Sequence, residues 1–332
     1  MKHIFVHNPM AGKNSAKAIE TLQEHMKQYD GSLCYEFYST KARGDATLYV
    51  KQLCEAEPET EFRFYACGGD GTANEVLHGV MGHSNASMTC YPCGSGNDFV
   101  KYYGGADRFL NIDALLNAEE HHIDVMRIGD RYSMNVVNFG FETEVVRYME
   151  KARHKKFMGG KKAYYAGIVK ALCTSMKSKC TIWVDDEQIN DGSMLLCNVA
   201  NGSYIGGSFC CAPHSNNEDG LLEVCLVHPI SRLKFLSLVN VYKEGRHLDD
   251  PRFRNIVVYR RGKSVHVKAP EGFSCTLDGE IVPTNEFTIE ICPGALRFAV
   301  PALPADEATQ PDATDDSPVQ NAEESEKSPA TV

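Results

Sequence analysis

Residues 66–76 read ACGGDGTANEV, three glycines set around an aspartate. An apolar run precedes them and a stretch with helical spacing follows, so the segment is predicted to turn sharply from a strand into a helix. Gly68, Gly69 and Gly71 permit close backbone approach, and a helix starting at Thr72 offers unpaired amide donors at its positive end. A tight strand-to-helix turn would account for the glycines by itself. It does not account for Asp70, because a carboxylate among phosphate-directed amides repels the ligand unless Mg²⁺ lies between them. The loop is therefore read as a site for metal-bound phosphate.

Working outward, the first third of the chain alternates. KHIFVHNP, CYEFYST, FRFYACGG and MTCYPCG read as strands; SAKAIETLQEHMKQY, DATLYVKQLCEAE and TANEVLHGVM read as helices, with Ser15 and Asp45 expected as N-caps. Strict alternation predicts an α/β domain built on a parallel sheet with helices on both faces. Ligands of such sheets lie at the carboxyl ends of the strands, where NPMAGK, ST, GGDGT and CGSGND all fall. From about residue 125 the pattern changes to short alternating stretches joined by Asp-Asp, Arg-Gly and Asp-Gly turns, which predicts an antiparallel sheet or sandwich interrupted by helices near 143–152, 161–178 and 231–244. The expected organisation is a nucleotide-binding domain over 1–125, a β-rich domain over 126–301 whose last strand is able to return to the first, and a tail over 302–332. The cleft between the two domains is the default site.

Composition narrows the class. The chain has 332 residues, 43% of them hydrophobic, and thirteen cysteines scattered through apolar runs. Reduced, mostly buried thiols in a cytoplasmic protein are expected rather than disulfides or zinc. No run of about 18 apolar residues marks a membrane span, and the first residues lack the pattern of a signal peptide. The net charge of −10 is uneven: residues 302–332 hold eight acids and one lysine and no aromatic residue, so they are expected to be disordered. Residues 151–162, KARHKKFMGGKK, hold five lysines, an arginine and a histidine with no acid. Such a block faces either solvent or an anionic partner. Nucleic acid is not expected, because the block is short and no recognised module accompanies it.

The second glycine loop, PCGSGNDF at 92–99, repeats the composition of the first, with Gly94 and Gly96 for turning, Ser95 as a hydroxyl and Asp98 as a second acid. NPMAGKNS is not a Walker A loop, since His7 stands where its first glycine is needed and Asn14 where its Ser or Thr is needed. Taken in order and spacing, NPMAGK, GGDGTANEV, PCGSGNDF, IDVMRI, ANGSYIGGSFCCAPHSNNEDGLLEV and LDGE resemble the diacylglycerol kinase catalytic superfamily, closest to its soluble bacterial lipid kinases. The resemblance runs from residue 1 to about 300. It implies ATP- and Mg²⁺-dependent phosphorylation of a lipid hydroxyl, most simply that of diacylglycerol, by a nucleotide-binding domain paired with a sandwich domain.

Position by position, the resemblance implies that Asn8, Thr40, Gly68, Gly69, Asp70, Gly71, Thr72, Gly94 and Ser95 contact ATP. It implies an acidic network of Asp70, Asp98 and Asp124 around the catalytic Mg²⁺, with Glu280 accepting the proton and Asp278 beside it. A structural Mg²⁺ is implied at the Asn216 carbonyl, the Asp219 carboxylate and the Leu221 carbonyl, where Glu218 directly before Asp219 departs from the pattern. A substrate that barely leaves the bilayer further implies peripheral contact with the inner face of an anionic membrane, for which residues 151–179 supply a basic edge beside an apolar helix. A homodimer is compatible with the sequence. The competing expectations are a kinase of a soluble metabolite such as NAD, a kinase of a sphingoid base or of phosphatidylglycerol, and a non-catalytic sensor that would have no need of Asp70 and Glu280.

Overall fold

In the computed structural model, which describes residues 1–12, 15–153 and 161–303 (the side chains of 152–153 and 161–165 aside), the first third is built as its periodicity predicts. Strands β1 (Lys2–His7), β2 (Tyr35–Ser39), β3 (Phe62–Gly68) and β4 (Ala86–Pro92) alternate with helices α1 (Ser15–Met26), α2 (Asp45–Ala56) and α3 (Asp70–Val80). The strands pair in parallel in the order β2-β1-β3-β4. β3 and β4 are buried along their whole length, as strands covered by helices on both faces must be. Register places Phe5 between Phe37 and Tyr65, and the three rings stack with centroids 4.8 and 4.3 Å apart.

Two short helices, α4 (Ala106–Leu110) and α5 (Ile112–Leu116), lead into the remainder. There β5 (Glu119–Ile128), β6 (Arg131–Ser133), β7 (Val136–Gly140), β8 (Ser178–Lys179), β9 (Thr181–Val184), β10 (Glu187–Gln188), β11 (Ser193–Met194), β12 (Leu196–Ala200), β13 (Tyr204–Ile205), β14 (Phe209–Cys210) and β15 (Leu222–Val227) precede β16 (Val257–Gly262), β17 (Ser264–Lys268), β18 (Ser274–Leu277), β19 (Glu280–Pro283) and β20 (Glu286–Val300). Helices α6 (Phe141–Arg153), α7 (Lys161–Thr174) and α8 (Arg232–Lys243) interrupt them. An antiparallel sheet of order β16-β15-β12-β7-β18-β19 faces the arm β10-β9-β17-β20 of the other sheet. Their inner faces share one core of Val137, Phe139, Val199, Val224, Val265, Val267 and Ile289, which makes a β-sandwich. The three helices cover the sandwich's outer side over a further core containing Phe141, Leu196, Leu238 and Tyr242. The sheet of the first third is continuous with the sandwich, because β20 pairs antiparallel with β17 and β5 and, at Phe298, parallel with β4.

Some local expectations change. Helix α3 begins at Asp70 with Gly69 as N-cap, two residues before Thr72. Ser15 is the first residue of α1, and its hydroxyl turns back to donate to the Asn8 carbonyl at 3.1 Å. Gly44, left-handed at φ 81°, takes the N-cap position of α2, while the Asp45 carboxylate accepts from the Lys41 N–H and the Tyr38 hydroxyl. The Asp185-Asp186 and Asp278-Gly279 turns close hairpins with both central residues left-handed. Arg261-Gly262 does not: β16 pairs with β15 while β17 pairs with β9 and β20, so the chain crosses there from one sheet to the other. A Cβ on Gly262 would run into Val184, which fixes glycine at the crossing. Most of the basic block, including Lys155 and Lys156, and the tail beyond Leu303 lie outside the described residues. All thirteen cysteines are free, ten of them buried. Among the described residues no helix is long and apolar enough to cross a membrane.

Candidate active site

The loops after β1, β3 and β4 converge, and glycine lets them. A Cβ on Gly94 would overlap the Gly69 Cα, and one on Gly68 would overlap the Thr72 side chain. Gly12, at φ 74°, would meet the Cys93 carbonyl at 2.9 Å. The Cys93 and Gly94 N–H groups both donate to the Gly68 carbonyl, at 2.8 and 3.2 Å. Asn8 joins the cluster by donating to the Thr72 hydroxyl at 3.1 Å, and Thr40 by donating its N–H to the His7 carbonyl at 2.8 Å. Most of the close approach read from the sequence is thus loop against loop. Gly71 differs: nothing lies within 4 Å of where its Cβ would stand, and both it and Ser95 are exposed at the same edge.

Two of the acids meet. The Asp98 N–H donates to Asp70 Oδ1 at 2.6 Å, and a Cβ on Gly96 would stand 2.7 Å from Asp70 Oδ2 and 3.6 Å from Asp98 Oδ2, so the carboxylates flank one glycine. Burial, followed by the charge of Asp98 and of Asp278, pushes the Asp70 carboxyl up to about 7. Lys101 pairs with Asp98 and donates to the Gly96 carbonyl at 2.8 Å. On the other side, the Gly207 N–H donates to both Asp98 oxygens, at 2.9 and 3.1 Å. Gly206-Gly207 is the tip of the β13–β14 hairpin, so a second-half element reaches into the acid pair. Two crowded carboxylates, one of them paired with a lysine, fit a divalent cation, which would relieve the repulsion.

Asp124 does not join them. Its carboxylate accepts from the Gly220 N–H at 2.7 Å and the Gly294 N–H at 2.8 Å, and its N–H donates to the Asn217 carbonyl at 2.7 Å. It ties together the loops around residues 217–220 and 294, and burial raises its pKa. The residues implied to hold a structural Mg²⁺ lie in the same region. Asp219 Oδ1 accepts from the Leu221 N–H at 3.0 Å, its other oxygen pairs with Arg261, and Arg261 also holds the buried Glu223 at 2.7 Å. The Asn216 side chain is turned to the Glu218 N–H. Among the described residues no cluster of three or more His, Cys, Asp or Glu side chains is arranged to hold a metal.

LDGE separates into two roles. Asp278, left-handed at φ 47°, accepts from the Ser133 hydroxyl, from the N–H groups of Met134, Asn135 and Val136 and from the Asn74 amide, at 2.7–3.2 Å. It is a positioning residue that fastens α3 to the start of β7. Burial raises its pKa against those bonds. Glu280 is half-exposed at the start of β19 and is paired with Arg43 and, at 3.4 Å, with Arg131. Asn74, Lys101, Gly207, Arg43 and Arg131 escaped the sequence reading. The signals for them were weak: a polar residue on the buried face of α3, a lysine three places after Asp98, and paired glycines between two short strands.

Behind the β13–β14 hairpin lies an apolar cleft of about 60 Å³, walled by Phe141 and Val145 of α6, Ile168 of α7, Phe209 of the hairpin and Phe235 and Leu238 of α8. Glu142 is the acid in its wall; the Asn198 amide donates to its Oε1 at 3.4 Å and its Oε2 has no partner among the described residues.

A parallel-sheet edge with paired glycine loops and an acid pair, carried on an antiparallel sandwich, defines a two-part phosphotransferase fold. Residues 2–128 match the diacylglycerol kinase catalytic domain and residues 135–300 match the YegS C-terminal NAD kinase beta sandwich-like domain. The chain is 26% identical to a diacylglycerol kinase of Bacillus subtilis over 280 residues, 83% of this chain and 88% of that one. It is 25% identical to a diacylglycerol kinase of Staphylococcus carnosus over 279 residues, 83% and 87% of the two chains. A crystal structure of a diacylglycerol kinase from Bacillus anthracis superimposes with a TM-score of 0.66 at 22% identity, covering 90% of this chain and 96% of that one. The chain belongs to the lipid kinase family built on the diacylglycerol kinase catalytic domain, and the family implies ATP as phosphoryl donor.

Proposed function

We propose that this chain transfers the γ-phosphate of ATP to the hydroxyl of diacylglycerol, giving phosphatidic acid, with Mg²⁺ held at Asp70 and Asp98. The observation that carries the reading is the hairpin of β13 and β14: its tip donates to Asp98 in the acid pair, and its Phe209 walls the apolar cleft. One short element therefore joins a place for a metal-bound phosphate to a place for hydrocarbon.

In this reading the exposed main chain at Gly71 and the open end of α3 receive phosphate oxygens, with Ser95 beside them. Bound Mg²⁺ supplies charge neutralisation at the oxygens where negative charge develops. The acceptor hydroxyl oxygen bonds to the γ-phosphorus, the bond from that phosphorus to the β–γ bridging oxygen breaks, and ADP leaves. The hydroxyl proton passes to Glu280, which is left with a movable side chain because its partners are two surface arginines. Asp278, with its acceptors engaged, positions β7 and α3 instead of taking the proton.

The test is incubation of the purified chain with γ-labelled ATP and Mg²⁺ in mixed micelles containing diacylglycerol, a sphingoid base or phosphatidylglycerol, with NAD as a soluble competitor. Label is expected in phosphatidic acid. Label in another lipid alone would replace diacylglycerol as the acceptor, and label in NAD alone would overturn the lipid reading.

A further inference from the structure

We propose that α7 and α8 together form a docking face for a bilayer carrying anionic headgroups, an inference that rests on the lipid substrate proposed above. Leu233 and Leu236 of α8 are 80% and 57% exposed, and Val169 of α7 is 62% exposed. Large apolar side chains held in water on a well-packed helix carry a free-energy cost that contact with hydrocarbon removes. The two helices are clasped: Arg232 donates to the Leu172 carbonyl at 2.7 Å and to the Cys173 carbonyl at 3.0 Å, joining the end of α7 to the start of α8. The exposed leucines and the valine thereby flank one junction.

Charge selects the occupant. In a chain of net charge −10, the sequences of α7 and α8 contain six lysines or arginines and no acid. Lys170 is next to Val169 and Lys234 next to Leu233, and both are exposed. The acid that follows α8, Glu244, is paired with Arg246. Exposed apolar side chains with exposed lysines beside them match an interface of acyl chains and anionic headgroups better than a neutral protein surface. The inner faces of the same helices supply Ile168, Phe235, Leu238 and Val239 to the apolar cleft. A lipid leaving the bilayer at this junction would meet hydrocarbon-compatible surface from the membrane to the cleft, and Phe209 leads on to the acid pair.

The experiment is co-sedimentation of the purified full chain with phosphatidylcholine vesicles, with and without phosphatidylglycerol. The double variant Leu233→Glu with Leu236→Glu is expected to lose at least about tenfold in vesicle affinity while keeping its turnover on a dispersed short-chain diacylglycerol. Lys170→Gln with Lys234→Gln is expected to lose about fivefold per lysine, on phosphatidylglycerol vesicles only, with the difference vanishing at high salt. Unchanged vesicle binding in both variants would overturn the proposal. So would a dimer that becomes monomeric in the leucine variant while vesicle binding persists, because the face would then join two copies of the chain. Should the leucine variant fail to fold, the lysine variant decides, since its changes lie at exposed positions. If the wild-type chain phosphorylates no lipid, the functional reading falls while vesicle binding still decides the docking face.

Discussion

Asp278 and Glu280 stand two residues apart and answer differently to the loss of a charge. Asp278 receives five donors, so Asp278→Asn turns an amide group against N–H groups that the carboxylate now accepts. Each stranded buried donor costs about 1–3 kcal/mol, and a clear drop in melting temperature is expected. Glu280→Gln leaves the fold intact, because its arginine partners lie in solvent where such pairs contribute little. Its expected signature is kinetic: near-normal ATP binding by titration calorimetry with turnover reduced about 10²- to 10⁴-fold. Near-full activity would remove Glu280 from the role of proton acceptor. Glu142 sets a third pattern. Burial pushes its carboxyl from 4.5 up to about 8, so between those values the folded chain keeps a proton that the unfolded chain releases. Its contribution to stability is full below about 4.5 and is lost as the pH rises through about 8. Glu142→Gln keeps the acceptor for Asn198 and cannot ionise. Thermal melts should show the variant gaining several degrees on the wild type at pH 9 and almost nothing at pH 4; a constant offset across that range would show that Glu142 is not the titrating group.

At the scale of elements, the glycines of the two loops divide into those that make the site and those that face it. Gly94→Ala drives a methyl into the Gly69 backbone. It should part the loops, lowering melting temperature and ATP affinity together. Gly71 lies in the first turn of α3 with open space around it, where alanine is the better helix former by roughly 0.8–1 kcal/mol. Gly71→Ala should therefore melt no lower than the wild type, yet show a raised KM for ATP if phosphate approaches that main chain. An unchanged KM would place the phosphates elsewhere. This division was beyond the sequence: glycine spacing revealed the two loops and their side of the sheet, but not that Gly69 and Gly94 would need their space for each other. The same limit applied to the acids. Asp70 and Asp98 come from loops of adjacent strands, so alternation alone brings them together. Asp124 lies inside β5, and its partners at Gly220 and Gly294 are 96 and 170 residues away in sequence; no local pattern encodes that. Asn74 follows the glycine loop directly, but nothing local encodes its hydrogen bond to Asp278, 204 residues away, which clasps the two halves.

For the whole molecule, β20 is expected to make the two halves unfold as one. Its first residues pair with β17 in the sandwich, its middle and end pair with β5, and Phe298 lies opposite Met88 of β4. The Phe298 ring is fully buried against Phe99 and Tyr103, with centroids 5.2 and 5.6 Å away. The Thr89 hydroxyl donates to the Ala299 carbonyl at 2.7 Å, and Arg108 donates to the Pro301 carbonyl at 2.6 Å, so the strand's end is fastened on the nucleotide side. Asp278 to Asn74 and Gly207 to Asp98 add polar ties across the same boundary. Phe298→Ala removes a large side chain from the first core and should cost about 3–5 kcal/mol. The sole tryptophan, Trp183, sits in β9 at the far arm of the sandwich, where it reports on a region the substitution does not touch. If β20 couples the halves, Trp183 fluorescence and far-ultraviolet circular dichroism will fall together at the same lowered temperature. A Trp183 transition left at its wild-type temperature while the helical signal melts early would mean that the sandwich stands without the nucleotide half. The hairpin joining Asp98 to the apolar cleft would then be a contact between independently stable bodies.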